Sequence, residues 1–240
     1  MEILVKEFNT RPCVVHGHGK HDYQYWWEPI KTGFFSTQTS CLAKPDELTI
    51  ITCNNGHLAM GMFESSLDHL GLPYSVFGRG VEPWVNSQQK PAILAAALKT
   101  IDTPYVLYAE SRDALLINDP ALALDRFKHR FHCEMLFGAD RINWPPGRQF
   151  ARFEEPLARQ AKSEFRYLNG GLWIGKTDYC AEFFTRAAAT QPLESAAESE
   201  QGILKQLFPI HHPQILLDYH CEIFLNTGFL LSRDALEINH

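Results

Sequence analysis

Long apolar runs are missing from this 240-residue chain. No stretch approaches the roughly 20 residues that span a bilayer, so no transmembrane segment is expected. The N-terminus, Met-Glu-Ile-Leu-Val-Lys-Glu, is too short and too acidic for a signal peptide. Basic clusters are missing too. The net charge is -6, which speaks against a nucleic-acid partner. Cysteine is sparse. The six (Cys13, Cys41, Cys53, Cys133, Cys180, Cys221) form no Cys-x-x-Cys pair. They read as reduced core thiols in a cytoplasmic protein rather than a disulfide framework. The glycine-rich phosphate cradles are also lacking. There is no Gly-x-x-x-x-Gly-Lys-Ser/Thr loop and no Gly-x-Gly-x-x-Gly between a strand and a helix. Gly17-His18-Gly19 and Gly78-Arg79-Gly80 are too short to serve. A bound diphosphate would need a metal and a cation instead.

Hydrophobic residues make up 45% of the chain, enough for a sizeable core. Strand-like and helix-like patterns alternate. Leu48–Cys53 is β-rich and ends at the turn Asn54-Asn55-Gly56. Apolar residues recur at helical spacing from Leu58 to Leu70, and Gly71 follows as a stop. Tyr74–Phe77 reads as a strand, Pro91–Ile101 as a helix, and Ala121–His129 as a polar helix. Cys133–Ala139 and Leu172–Gly175 read as buried strands, with a helix from Asp178 to Ala189. The stretch from Asn143 to Gly147 is a loop, and Gln191–Glu200 begins as one. Alternating βα units predict an α/β fold, with a mainly parallel sheet flanked by helices on both faces. No repeat or linker divides the chain, which is taken as one domain spanning 1–240.

The most informative stretch is Pro104-Tyr105-Val106-Leu107-Tyr108-Ala109-Glu110-Ser111-Arg112-Asp113. An apolar strand ends in two carboxylates, at the sheet edge where α/β folds bind ligands. Glu110 and Asp113 are hard oxygen donors suited to Mg²⁺ or Mn²⁺ on a diphosphate. The plainer reading is an acidic turn capping the next helix. A second stretch, Val14-Val15-His16-Gly17-His18-Gly19-Lys20-His21, brings a strand to three imidazoles, His16, His18 and His21. Imidazole is the commonest protein metal ligand. Lys90, just before the Ala-rich helix, is a candidate cation, or simply a solvated lysine. Asn169-Gly170-Gly171 reads as a turn ahead of the strand Leu172–Gly175, with an amide facing a polar ligand. Glu198-Ser199-Glu200 opens a helix, where acidic residues also suit the helix dipole.

Taken in order, these pieces resemble the glycosyltransferase domain of procollagen lysyl hydroxylases and the related procollagen glycosyltransferases. Glu110-Ser111-Arg112-Asp113 stands where that family has Asp-x-x-Asp. Gly138-Ala139-Asp140 … Asn143-Trp144-Pro145 is similar to its Ser-Ala-Glu … Cys-Trp-Pro. Tyr167-Leu168-Asn169-Gly170-Gly171-Leu172-Trp173-Ile174-Gly175 is similar to its Tyr-Leu-Asn-Ser-Gly-x-x-Ile-Gly. Ser199-Glu200-Gln201 resembles Asp-Asp-Gln, and Leu217-Asp218 … Ile223-Phe224-Leu225-Asn226 resembles Leu-Asp … Ile-Phe-Gln-Asn. Trp84 … Lys90 resembles its Trp … Lys before a helix. The likeness covers about Leu48 to Asn226. One element is displaced. The family's Val-Val-His-Gly-Asn-Gly lies near its C-terminal end, whereas Val14-Val15-His16-Gly17-His18-Gly19 lies near this N-terminus. A circular permutation accounts for that, with 1–30 as a displaced C-terminal element.

The resemblance implies a GT-A-like fold, a UDP-sugar donor, and Mn²⁺ (or Mg²⁺) held by Glu110, Asp113 and His16. It places Thr52 and Asn54 against the nucleoside. It places Trp84 and Arg112 near the nucleotide, and Lys90 on a phosphate or the sugar. Trp144, Asn169 and Glu200 would line the sugar and acceptor side, with Glu200 as base or transition-state stabiliser. The acceptor (glycan, protein or lipid-linked sugar) is not legible. Glu110 for Asp, Arg112 for an aromatic residue and Glu200 for a paired Asp are departures. They keep open a degenerate nucleotide-sugar binder and a metal-dependent nucleotidyltransferase.

Overall fold

A computed structural model describes residues 1–17, 25–38, 41–57 and 59–239. His18, His21 and Leu58 lie outside the described residues. The strands in chain order are β1 Glu2–Val5, β2 Val14–His16, β3 Leu48–Cys53, β4 Ser75–Phe77, β5 Tyr105–Ala109 and β6 Ala114–Leu116. They continue as β7 Met135–Asp140, β8 Tyr167–Lys176, β9 Ile215–Asp218, β10 Phe224–Asn226 and β11 Leu236–Asn239. The helices are α1 Trp27–Ser36, α2 Met62–His69, α3 Asn86–Leu98, α4 Pro120–Arg130, α5 Arg148–Ala161, α6 Thr177–Ala189 and α7 Glu200–His211.

The main sheet has the order β4-β3-β5-β8-β7-β9. Every neighbour pairs in parallel except β8, which runs antiparallel to both β5 and β7. The sheet is therefore mostly parallel, with seven α-helices flanking it among the described residues. Parallel strands buried on both faces need near-continuous apolar runs. Leu48-Thr49-Ile50-Ile51 and Met135-Leu136-Phe137 supply them. At the centre, Trp173 stacks on Tyr108 with ring centroids 5.1 Å apart, both fully buried. Helix starts follow local chemistry. Asp119 caps α4 by accepting from the Ala121 amide at 2.8 Å, with Pro120 in the first turn. Ser199 caps α7 by accepting from the Gly202 amide at 3.2 Å.

A second sheet, β10-β2-β6, stands beside the carboxylate edge. In it β2 pairs in parallel with β10, with His16 opposite Asn226, and antiparallel with β6, with His16 opposite Ala114. Residues 14–16 thus pair with residues 224–226, where a displaced C-terminal strand would lie. Arg126 on α4 braces this join by donating to the carbonyls of Arg11 and Glu222. The terminal strands β1 and β11 pair antiparallel, Glu2 opposite Asn239 and Val5 opposite Leu236.

Two local expectations are corrected. Asn169-Gly170-Gly171 is not a turn ahead of a strand. It lies inside β8 as a bulge, because the register with β7 jumps from Phe137–Trp173 to Gly138–Asn169. Glycine serves close approach here. A Cβ on Gly171 would sit 2.9 Å from His16 Cε1. The Ala-rich helix begins at Asn86 rather than Pro91, so Lys90 lies within α3. Gln89 accepts from the Val85 amide at 2.6 Å, and Ser87 donates to the Ala197 carbonyl at 2.5 Å, which anchors the extra turn.

Candidate active site

One cleft of about 880 Å³ opens at the carboxylate edge of the main sheet. That is toward the large end of small-ligand pockets, about 300–1,000 Å³. Of the residues singled out from sequence, Glu110, Asp113, His16, Lys90, Arg112, Trp84, Trp144, Asn169, Glu200 and Asn54 all line it. Thr52 does not. It is fully buried, and its hydroxyl donates to the Ala109 carbonyl at 2.7 Å, joining β3 to β5. Thr52 turns its hydroxyl onto β5, while Cys53 and Asn54, at the end of β3, reach the cleft.

On one side, β5 delivers Glu110 and the following turn delivers Asp113. Bulging β8 fixes the end of that strand, since the Gly171 carbonyl accepts from the Glu110 amide at 2.8 Å. His16 arrives from β2, 97 residues away in sequence, and its Nε2 lies 3.1 Å from Asp113 Oδ1. The tautomer follows from the network. Asn226 Nδ2 donates to the Ala139 carbonyl at 2.7 Å, so its Oδ1 is the atom 2.8 Å from His16 Nδ1. Nδ1 therefore carries a hydrogen and donates it. Nε2 and the Asp113 oxygen then require a shared proton or cation between them. Burial pushes the imidazolium down, but Asp113 and the Asn226 hydrogen bond outweigh it and lift His16 to about 9.

On the other side stands a buried ammonium between two carboxylates. Lys90, only 3% exposed, lies 2.7 Å from Glu110 Oε2 and 2.8 Å from Glu200 Oε2. Burial pushes Lys90 down, but Glu110 and Glu200 hold it well above its ordinary range. Tyr108 adds a hydroxyl donated to Glu110 Oε2 at 3.2 Å. Burial lifts Glu200 to about 7, against the pull of Lys90 and with help from the Glu110 charge. Glu200 Oε1 is buried and has no hydrogen-bond partner. A carboxylate poised near neutrality with one uncommitted oxygen is equipped to take or give a proton.

Asn169 and Asn54 have committed amides. Asn169 Nδ2 donates to Asp140 at 3.0 Å, and its Oδ1 accepts from the Gly171 amide at 2.9 Å. Asn54 Nδ2 donates to Glu64 at 2.7 Å, and its Oδ1 accepts from the Gly56 amide at 2.8 Å. Both shape the cleft wall from within. Trp84 donates to Asn86 at 2.6 Å, and Arg112 is exposed at the rim. Trp144 is 56% exposed at the mouth. Sequence reading missed Asn226, Tyr108, Glu64 and Gln201 as supporting residues. Asn226 and Gln201 stood in the quoted motifs, but nothing local marks which way their amides point.

Among the described residues, no three His, Cys, Asp or Glu side chains form a ready-made metal cluster. The donor chemistry nonetheless fits a divalent ion. Neighbouring ligands of an octahedral ion with bonds of about 2.1 Å stand about 3 Å apart, and His16 and Asp113 have that spacing. The second-row hydrogen bond from Nδ1 to Asn226 leaves Nε2 as the ligand atom. Lys90 and Tyr108 both address Glu110 Oε2, which leaves Oε1 available.

The sequence model of the family described as the PLOD GT domain matches residues 44–239. The chain belongs to that family. The match spans the whole main sheet and every cleft residue except His16, whose strand precedes it. No curated protein matches the chain. The PLOD GT domain is a glycosyltransferase domain, so a sugar donor and an acceptor are the ligands this cleft must be weighed against.

Proposed function

We propose that this PLOD GT domain transfers a sugar from a UDP-sugar to an acceptor, with Mn²⁺ or Mg²⁺ held by Glu110, Asp113 and His16. The observation that carries the reading is the approach of His16 to Asp113, with Nδ1 fixed by Asn226. A divalent ion held by Glu110, Asp113 and His16 would supply positive charge to neutralise the leaving diphosphate. Lys90 supplies a second positive charge, buried where a diphosphate or sugar hydroxyl can reach it. Glu200 accepts the acceptor's proton or steadies charge at the sugar, as a carboxylate near 7 can do at neutral pH. Trp144 at the mouth and Asn169 in the wall face the sugar and acceptor side. Trp84, Arg112 and the Asn54 turn face the nucleotide. Water exclusion falls to the cleft walls, where Lys90 and Glu200 are already withdrawn from solvent.

In this reading the chain is one domain, and 1–30 is a permuted C-terminal element. The parallel pairing of β2 with β10, and its place ahead of the matched residues, support that. The buried free thiols Cys13, Cys53, Cys180 and Cys221 suit a reducing, cytoplasmic setting. Calorimetry with UDP, with and without Mn²⁺, tests the binding half. Hydrolysis of UDP-sugars tests the transfer half. Mn²⁺-dependent UDP binding without turnover would reduce the protein to a nucleotide-sugar binder, and no UDP binding would end the proposal.

A further inference from the structure

Away from the cleft floor lies a second buried ammonium. Lys205 on α7 is 2% exposed overall, and its side chain is fully withdrawn from solvent. Its Nζ lies 3.0 Å from Glu154 Oε2 on α5 and donates to Asn143 Oδ1 at 2.6 Å. The rings of Phe150 and Tyr167 flank it at 5.0 and 5.1 Å. Asn143 in turn donates to the Gly147 carbonyl at 3.2 Å, so it ties both ends of the loop that carries Trp144. One turn earlier on α7, Gln201 donates to the Trp144 carbonyl and accepts from the Gly170 amide at 2.8 Å. Residues 201 and 205 share a helix face. Two grips from one face of α7 thus hold the Trp144 loop. The helix that does so begins with Glu200.

A buried ion pair is a poor stability device. A well-packed apolar pair of the same size often does as well or better. What an apolar side chain cannot do here is bind Asn143. We propose that Lys205 is a positioning residue, which fixes the Asn143–Gly147 loop on α7 so that Trp144 and Glu200 keep one mutual placement across the cleft mouth. The importance of that placement for the acceptor rests on the function proposed above. The latch itself does not.

The test is hydrogen exchange of the loop in Lys205→Met, Glu154→Gln and Asn143→Ala, beside UDP calorimetry. Lys205→Met removes the grip. The amides of Ile142, Asn143, Trp144 and Gly147 should then exchange about tenfold faster or more, matching the loss of one hydrogen bond to a charged group. Exchange in β8 and UDP affinity should be unchanged. The Trp144 fluorescence, isolated by difference from Trp144→Phe, should lose anisotropy. Glu154→Gln keeps the Asn143 bond and should keep the loop protected. If Lys205→Met does not fold, Asn143→Ala carries the test, since it leaves the Lys205–Glu154 pair intact and should free the loop equally. Unchanged loop exchange in the folded variant would overturn the proposal. So would an even rise across α5, β8 and α7, which marks general destabilisation. If UDP does not bind the unaltered protein, the function proposed above fails while the exchange result still decides the latch.

Discussion

Glu200→Gln offers a test of the cleft that needs no ligand. Burial raises the Glu200 carboxyl from 4.5 to about 7 in the folded protein. A raised value means the folded state holds the proton more tightly than the unfolded chain does. The stability this contributes is full below about 4.5 and is lost as pH climbs through about 7. At about 1.36 kcal/mol per pH unit, that interval amounts to about 3 kcal/mol. Gln cannot titrate, so the variant lacks this slope. Urea unfolding of both proteins at steps from pH 4.5 to 8 isolates it, because groups that do not interact with Glu200 cancel in the difference, and Lys90, which does, stays charged across this range. The stability of Glu200→Gln relative to the parent should rise by about 3 kcal/mol over the range and then level off. The constant offset from placing an amide beside Lys90 does not affect the slope. A flat difference curve would show that Glu200 is ionised throughout, and would remove the basis for its role as a proton carrier.

Asp113→Ala should abolish Mn²⁺-dependent UDP binding by calorimetry, whereas Glu110→Asp, which keeps the carboxylate, should retain it. Asn226→Leu frees the His16 ring to rotate and should weaken Mn²⁺ binding about 10–100-fold, with UDP titrations reading the loss. Gly171→Ala drives a Cβ to 2.9 Å from His16 Cε1 and 3.4 Å from its Nε2, and should show the same binding defect without removing a ligand atom. Trp173→Ala should cost about 3–5 kcal/mol in urea unfolding, because it empties the fully buried stack on Tyr108.

Much of this arrangement could be read from the residues. The apolar run Tyr105–Ala109 ends at Glu110 and Asp113, and both do line the cleft. A displaced C-terminal element puts Pro12–His16 beside Ile223–Leu225, and β2 does pair there, in parallel, with Val14 opposite Phe224. Errors came where a distant neighbour decides local shape. Asn169-Gly170-Gly171 carries every sign of a turn. It is a bulge inside β8, and Gly171 there leaves open the space that the imidazole of His16, far off in sequence, occupies. Pro91 suggested a helix start, yet α3 begins earlier because Ser87 and Gln89 secure the first turn through partners outside any helical pattern. Thr52 falls short of the cleft because its hydroxyl is taken by the Ala109 carbonyl of β5, a partner 57 residues away. The grip of Lys205 on Asn143 joins residues 62 apart and leaves no periodic trace.

The antiparallel join of β1 to β11 has a mechanical side. Glu2 and Asn239 face each other at its open end. A pull on the two ends of the described chain would load that ladder one residue pair at a time, the weakest way to load a sheet. Once it parts, tension passes through Thr10 and Cys13 into β2, a strand of three residues. His16 closes that strand. Strain at the join of β1 and β11 is therefore carried by the same short strand that brings this imidazole to Asp113.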